Sequence, residues 1–561
     1  MSTPDDAAEP VRPEAEAPSP PQKAGFPPGI PYIIGNEAAE RFSFYGLRAI
    51  LYVYLVELYL GFLPRETVPH LVAAAEVKAT QVHHLFIAGV YASPMIGAIL
   101  ADRLLGKYRV IMWVSLLYCV GHGVLALMGK HEWGVYTGLA CIALGAGGIK
   151  PCVSANVGDQ FSAANAHLVP SIFRIFYFSI NFGSFFANLL IPWIKEAYSP
   201  EAAFAVPGIL MGVATLVFWL GRKKFVKVPP SPGGKLGLLD FLAASCLFLA
   251  FAVFAFTEAG HYWLKTGAAA VFLLLWFVLS RMRQRLEEDR GFLAVLSYTA
   301  RSQSLRRPGM GFLDVAREKF GEEVAEGSRA VLRIMLVFSM VCVFWALFDQ
   351  HSSTWTQQAS KMDLTLRFPE LAASFEAGSL VWGERSLKPA QLQAMNPAFV
   401  MLIIPLLALG VFRPLERRGI IIKPLVRMTI GMFITSLSFV AVALIEKEID
   451  AAASRGAKIT FLWQVIPYIF LTTGEVLVSV TGLEFAYTQA PRSMKSTIIG
   501  FWYLTVTLGN LLVAALSPLL ERSLATLFWT FAVLMVAAAI VFALLARFYR
   551  GKTYLQDGST G

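Results

Sequence analysis

Runs of predominantly apolar residues recur from residue 31 to residue 547, separated by short polar connections. Each is close to the ~20 residues that carry a helix across a hydrocarbon core of about 30 Å. In lipid every backbone amide must be satisfied inside the protein, so a chain built this way folds as packed spanning helices. The runs lie near 31–60, 79–102, 108–128, 133–153, 169–194, 203–221, 236–258, 262–281, 329–350, 395–413, 421–446, 459–484, 494–519 and 523–547. An even number of spans, fourteen, places both termini on one side. With 56% hydrophobic and 15% charged residues, the composition also lies outside the soluble globular range.

Basic residues decide the side. Arg103, Lys107 and Arg109, the run Arg222, Lys223, Lys224, Lys227 and Lys235, then Arg281, Arg283 and Arg285, Arg413, Arg417 and Arg418, and finally Arg547, Arg550 and Lys552 all fall on one face in this count. That face is cytoplasmic by the positive-inside rule. Connections 61–78, 351–394 and 447–458 are mixed in sign and extracytoplasmic. The net charge of +10 is thereby explained by topology and anionic inner-leaflet lipid, with no nucleic acid required. Residues 1–29, rich in Pro, Ala and Glu, are expected to form a disordered cytoplasmic tail without the apolar stretch of a cleavable signal, and 549–561 a second cytoplasmic tail. Cys119, Cys141, Cys152, Cys246 and Cys342 sit apart in apolar spans, giving neither a disulfide framework nor a metal site.

The spans divide as six, two and six: an all-α membrane protein with bundles at 30–221 and 329–548, joined by a linker at 222–328. The linker carries the extra pair, about 236–281, whose ionisable residues Asp240, Glu258, His261 and Lys265 lie mostly near its ends. A polar segment follows that suits amphipathic cytoplasmic helices.

Charge inside a span is expensive, roughly 2.5–3.5 kcal/mol per residue at the centre. "NEAAERFSFYGLRAI" nevertheless places Glu37, Glu40, Arg41 and Arg48 in the first span. Glu37 with Arg41 and Glu37 with Glu40 have i,i+4 and i,i+3 spacing, so the three share one face in an orientation suited to an ion pair. Arg48 stands two turns, about 10 Å, further out on that face. Snorkelling of Glu37 and Glu40 into headgroups is the competing reading. Lys150 near the inner end of the fourth span falls in the layer of Glu37, Glu40 and Arg41. Asp349 shares the outer half with Arg48, a natural ion pair at an outer gate, and Glu475 lies in mid-helix.

Several stretches carry a family resemblance. "GAILADRLLGKYRVI" (97–111), with "GVFRPLERRGI" (410–420) in the matching place, resembles the loop signature of the major facilitator superfamily. The run Glu37/Glu40/Arg41, "GAGGIKPCVSANVGDQF", "FYFSINFGS", "FWALFDQHSSTW" and "GEVLVSVTGLEFAYTQAPRSMKS" together resemble the proton-dependent oligopeptide transporter family (POT/PTR) of that superfamily, over residues 31 to about 548. The resemblance implies the major facilitator fold, two six-helix bundles plus the inserted pair, around a midplane site. It also implies a proton-coupled symporter of di- and tripeptides and peptide-like compounds. The inserted pair, common in prokaryotic members, implies a bacterial inner membrane.

Carried over by position, Glu37, Glu40, Arg41, His84 and Glu475 would couple protons. Arg41 and Lys150 would receive the peptide carboxylate, and Glu475, Asn181 and Asn396 the ammonium. Tyr45, Tyr54, Tyr91, Trp345 and Trp502 would line side-chain pockets, and Arg48 with Asp349 would form the outer gate. Packing or lipid contact competes as a reading of His83, and core packing as a reading of Trp345 and Trp502. Glu484 and Lys495 are expected as interfacial or gate-stabilising charges. Phe44 stands where many members have Tyr, which removes any role for a hydroxyl there.

These residue types suit the task. A short peptide keeps two constant charged ends while its side chains vary, so a promiscuous carrier grips the termini and offers apolar walls. No cofactor is expected, the proton gradient being the energy source, and no metal and no obligatory protein partner. Proton-coupled transport of a non-peptide metabolite or drug on the same fold is the alternative. An enzyme is disfavoured by the lack of His-Glu-x-x-His, Gly-x-Ser-x-Gly or a Cys/His cluster.

Overall fold

Fourteen long helical passages cross the molecule among the described residues, which in this computed structural model are 25–162, 165–256, 262–286, 291–306, 310–369, 382–489 and 495–549. They are α1 Ile30–Tyr59, then α2 Pro69–Leu105, α3 Lys107–Met128, α4 Glu132–Asp159, α5 Ser171–Ala197, α6 Pro200–Lys223, α7 Gly234–Ala255 and α8 Tyr262–Leu286. The bent pair Glu322–Phe338 and Val341–Ala359 forms α9, with a 45° break, and α10 Pro389–Arg417, α11 Pro424–Ala453, α12 Phe461–Ala486, α13 Thr497–Glu521 and α14 Leu524–Phe548 complete the set. Twelve, or thirteen with the bent pair, are long and apolar enough to cross a membrane. Helix α1 is the fourteenth, set apart by its charges. It is admitted because nearly all of them are buried against protein: Glu37, Glu40, Arg41 and Arg48 are each under a tenth exposed.

Local signals mark the ends. Proline opens α2, α6, α10 and α11, a position where its missing N–H costs nothing. Ser199 and Ser523 cap α6 and α14 by accepting from the amides of Ala202 and Thr526. Helix α2 ends in a π-helical turn, Leu100–Leu105, closed by Gly106 at φ +83°. A second π-helical turn, Ala408–Phe412, stands at the inner end of α10, with Gly419 at φ +78° beyond it. The similarity of 97–111 to 410–420 therefore extends to the backbone.

Two apolar cores form, one from residues of α1 to α6 and their flanks, the other from α9 to α14 with Phe292 and Val77. The halves meet chiefly where α2 packs on α13 and α5 on α10. Helices α7 and α8 pack on each other, and α7 packs on the π turn of α2, where Asp240 of α7 accepts from Arg103 (3.3 Å) and from Arg283 of α8 (3.0 Å). The helix Phe292–Arg301 buries Phe292, Val295 and Thr299, the amphipathic element expected in that segment.

Three expectations need correction. Helix α2 begins at Pro69, well before 79, and α9 continues past Asp349 through a 3₁₀ turn, Asp349–Ser352, to Ala359. Polar residues do not end that helix because hydrogen bonds across the molecule satisfy them. The connection 351–394 also contains an antiparallel pair, Thr365–Pro369 with Trp382–Ser386. The expected tails over 1–24 and 550–561, the stretch with Glu258 and His261, and the side chain of Lys495 lie outside the described residues.

Candidate functional site

A cavity of about 560 Å³ lies between the halves, walled by α1, α2, α4 and α5 on one side and α9, α10, α12 and α13 on the other. It starts beneath Arg48 and Gln393 and continues to Ser154, Leu483 and Glu484 near the basic face.

Its first wall is built on the charged face of α1. Arg41 Nε donates to Glu37 Oε1 at 2.6 Å and lies 3.1 Å from Glu40 Oε2, too poorly aligned for a second hydrogen bond. Lys150 Nζ is 4.0 Å from Glu40 Oε1. The "GAGGIK" run brings that lysine inward: a Cβ on Gly97 of α2 would fall 2.5 Å from the Cα of Gly148, so the two helices meet backbone to backbone. Phe44 then seats the ammonium, with Lys150 Nζ 4.2 Å from its ring centre and 5.4 Å from that of Tyr91. Arg41, Glu37 and Lys150 line the cavity, while Glu40 sits fully buried behind them.

The opposite wall carries Glu475, whose Oε2 accepts from Asn396 Nδ2 at 2.7 Å. Gly474 allows α12 to approach α11, since a Cβ there would meet the Gly431 carbonyl at 2.9 Å, and a π-helical turn, Val476–Val480, follows directly. Such turns reorient side chains at functional sites. Asn181 also lines the cavity, its Nδ2 donating to the Tyr177 carbonyl.

Above the cavity lies a polar layer joining the halves. Arg48 donates to Asp349 Oδ1 at 2.7 Å and to Ser352 Oγ at 3.0 Å. Asn510 Nδ2 donates to Asp349 Oδ2 at 2.6 Å, which turns its Oδ1 toward His84 Nδ1 at 2.7 Å. His84 therefore carries its hydrogen on Nδ1, and its Nε2 accepts from Ser353 Oγ at 2.8 Å. Ser352 Oγ donates to the Asp349 carbonyl and accepts from His83 Nε2 at 2.9 Å. Beyond this layer Gln357 donates to Glu76 at 2.6 Å and Gln391 to the Leu189 carbonyl, while Gln393, at the top of the cavity, donates to the Ala49 carbonyl.

Of the residues singled out from sequence, Glu37, Arg41, Tyr45, Arg48, Tyr91, Lys150, Asn181, Trp345, Asn396, Glu475 and Trp502 border the cavity. Tyr54 does not. Its ring packs edge-on against Phe204 of α6 at 4.8 Å, because position 54 faces the interior of its own bundle. His84 lies in the outer layer, outside the cavity wall. His83 faces neither lipid nor plain packing but reaches across to Ser352. Glu484 lines the inner end of the cavity and is exposed there. Sequence reading missed Ser352, Ser353, His351, Gln393 and Asn510. Asn510, a polar residue in mid-span, carried a usable signal; His351, Ser352 and Ser353 follow a span end whose continuation was not legible, and Gln393 precedes a span that begins earlier than its apolar run.

Two helical bundles that close on a charged cavity define a multi-pass membrane protein with a site at the interface of its halves. The family model described as "POT family" matches residues 108–531. The chain belongs to this family and has the major facilitator fold. Solute carrier family 15 member 2 of Homo sapiens is 32% identical over 82% of this chain and 54% of its own length, and the Mus musculus protein of the same name 31% over 83% and 56%. The chain thus spans about half the length of these relatives. Among solved structures, the POT family transporter PepTSo is 37% identical, with a TM-score of 0.71 over 93% of this chain and 98% of that one. An auto-inhibited POT family peptide transporter is 36% identical, with a TM-score of 0.72 over 95% and 99%.

Proposed function

We propose that this protein is a proton-coupled symporter that imports di- and tripeptides and peptide-like compounds across a bacterial inner membrane, with both termini cytoplasmic. The observation that carries the reading is the separation of charge across the cavity: Arg41 and Lys150 on the first bundle, Glu475 with Asn396 on the second. A zwitterion lying between them bridges the halves, so occupancy favours closure. The proposed halves are 30–221 and 329–548, with 222–328 as the linker. The names of relatives, POT family peptide transporter and "Peptide transporter 3" of Caenorhabditis elegans, support the same substrate class.

Protons enter through competition for Arg41. In the ionised cluster Glu37 and Glu40 hold the guanidinium. Protonating either carboxyl weakens that hold and frees Arg41 for the peptide carboxylate, so proton and peptide bind cooperatively and the linkage is reciprocal. One proton falling through 100 mV releases roughly 2.3 kcal/mol, on the order of a fiftyfold accumulation at 1.4 kcal/mol per decade.

Protein in liposomes with an inward acid gradient is expected to accumulate labelled Ala-Ala, and an uncoupler to abolish the accumulation. Absence of uptake, or indifference to the uncoupler, overturns the reading. Uptake of a non-peptide amino acid in its place would favour the alternative substrate class.

A further inference from the structure

We infer that His351 selects, among peptides, those whose first residue ends in a hydrogen-bond donor. The inference rests on the peptide reading above and adds a residue to it.

The 3₁₀ turn Asp349–Ser352 sets the position. A 3₁₀ turn eclipses residues i and i+3, so Asp349 and Ser352 share the face that meets Arg48, while Phe348 and His351 share the face that borders the cavity. His351 Nδ1 lies 2.6 Å from the Phe348 carbonyl. A carbonyl only accepts, so Nδ1 carries a hydrogen and the neutral ring presents a lone pair at Nε2. The ring is held edge-on between Phe348 (5.0 Å) and Tyr468 (6.3 Å). Nε2 makes no hydrogen bond among the described residues, yet it is not among the atoms sealed from solvent, and the residue lines the cavity. It is a fixed acceptor that needs a donor from whatever occupies the site.

Depth identifies that donor. Tyr468, which touches His351, precedes Glu475 by seven residues on α12, roughly 10 Å further out at 1.5 Å per residue. A peptide ammonium held by Glu475 and Asn396 leaves its backbone at that level. Only a first side chain of tyrosine length, with its donor at the tip, spans the gap to Nε2. Shorter or wholly apolar side chains leave the acceptor unpaired.

The test compares Tyr-Ala with Phe-Ala, which differ by one hydroxyl. Each is measured as a competitor of Ala-Ala uptake and, without need of turnover, by the thermal shift it gives the purified protein. Wild type is expected to prefer Tyr-Ala about fivefold, the worth of one neutral hydrogen bond. His351→Phe is expected to bring the ratio to about one. His351→Gln, which can keep an amide N–H on the Phe348 carbonyl and an oxygen toward the cavity, is expected to retain about a twofold preference. Equal treatment of the two peptides by wild type, or an undiminished preference in His351→Phe, overturns the inference and leaves the peptide reading standing. Wild type that neither binds nor takes up either peptide overturns the peptide reading, and this inference falls with it.

Discussion

Two charged clusters stand about two turns apart on α1, and their state of hydrogen bonding is opposite. In the inner one, Glu37 Oε2, both oxygens of Glu40 and Lys150 Nζ are buried without a hydrogen bond among the described residues. In the outer one, Arg48, Asp349, Asn510, His84, Ser352 and Ser353 satisfy one another, and His83 Nδ1 is the one buried side-chain atom of that layer left over. The inner cluster belongs to one bundle and the outer one joins both. A buried charge with incomplete partners is poised for rearrangement, because a proton or an arriving counter-charge improves its situation. A satisfied network across an interface instead holds that interface shut.

The comparison breaks first, if it is wrong, at Arg48. Arg48→Ala leaves Asp349 buried without its cation and is expected to cost roughly 3–5 kcal/mol of the outer-closed arrangement. A cysteine introduced at Gln393 should then become reactive to an impermeant reagent applied from outside; unchanged protection would show that Arg48 does not hold the layer. At the inner cluster, Glu40→Gln should cut acid-gradient-driven Ala-Ala uptake on the order of a hundredfold, the scale of a lost buried ionic interaction of about 3 kcal/mol, while peptide counterflow without a gradient persists. Full gradient-driven uptake in that variant would remove the carboxylate competition for Arg41.

Lys150→Ala separates binding from stability. Its apparent affinity for Ala-Ala should fall about 10- to 100-fold, as expected for a charge-assisted bond. The melting temperature should hold or rise, because a poorly paired buried cation has been removed. A drop in melting temperature comparable to that of Arg48→Ala would erase the contrast between the clusters. The smallest effect expected is at Tyr54, which packs away from the cavity. Tyr54→Phe should leave Ala-Ala affinity within about twofold of wild type, since it removes no substrate contact.

Sequence alone determined a good deal, for a physical reason: spans need a set length in lipid, and charge within them must be excused by spacing or depth. From these came the fourteen passages, the six, two and six division, the shared face of Glu37, Glu40 and Arg41, and the common depth of Arg48 and Asp349, which the structure places 2.7 Å apart. Helical phase and contacts between bundles were decided only by the tertiary structure. Position 54 looks as aromatic as position 45, but rotation about the helix axis turns one toward Phe204 and the other to the cavity. The 3₁₀ turn at 349–352 forms because Arg48, His83 and Asn510 arrive from other helices to satisfy it. No local pattern in "FDQHSSTW" encodes those partners, since they lie more than 150 residues away along the chain; their meeting depends on how two bundles close.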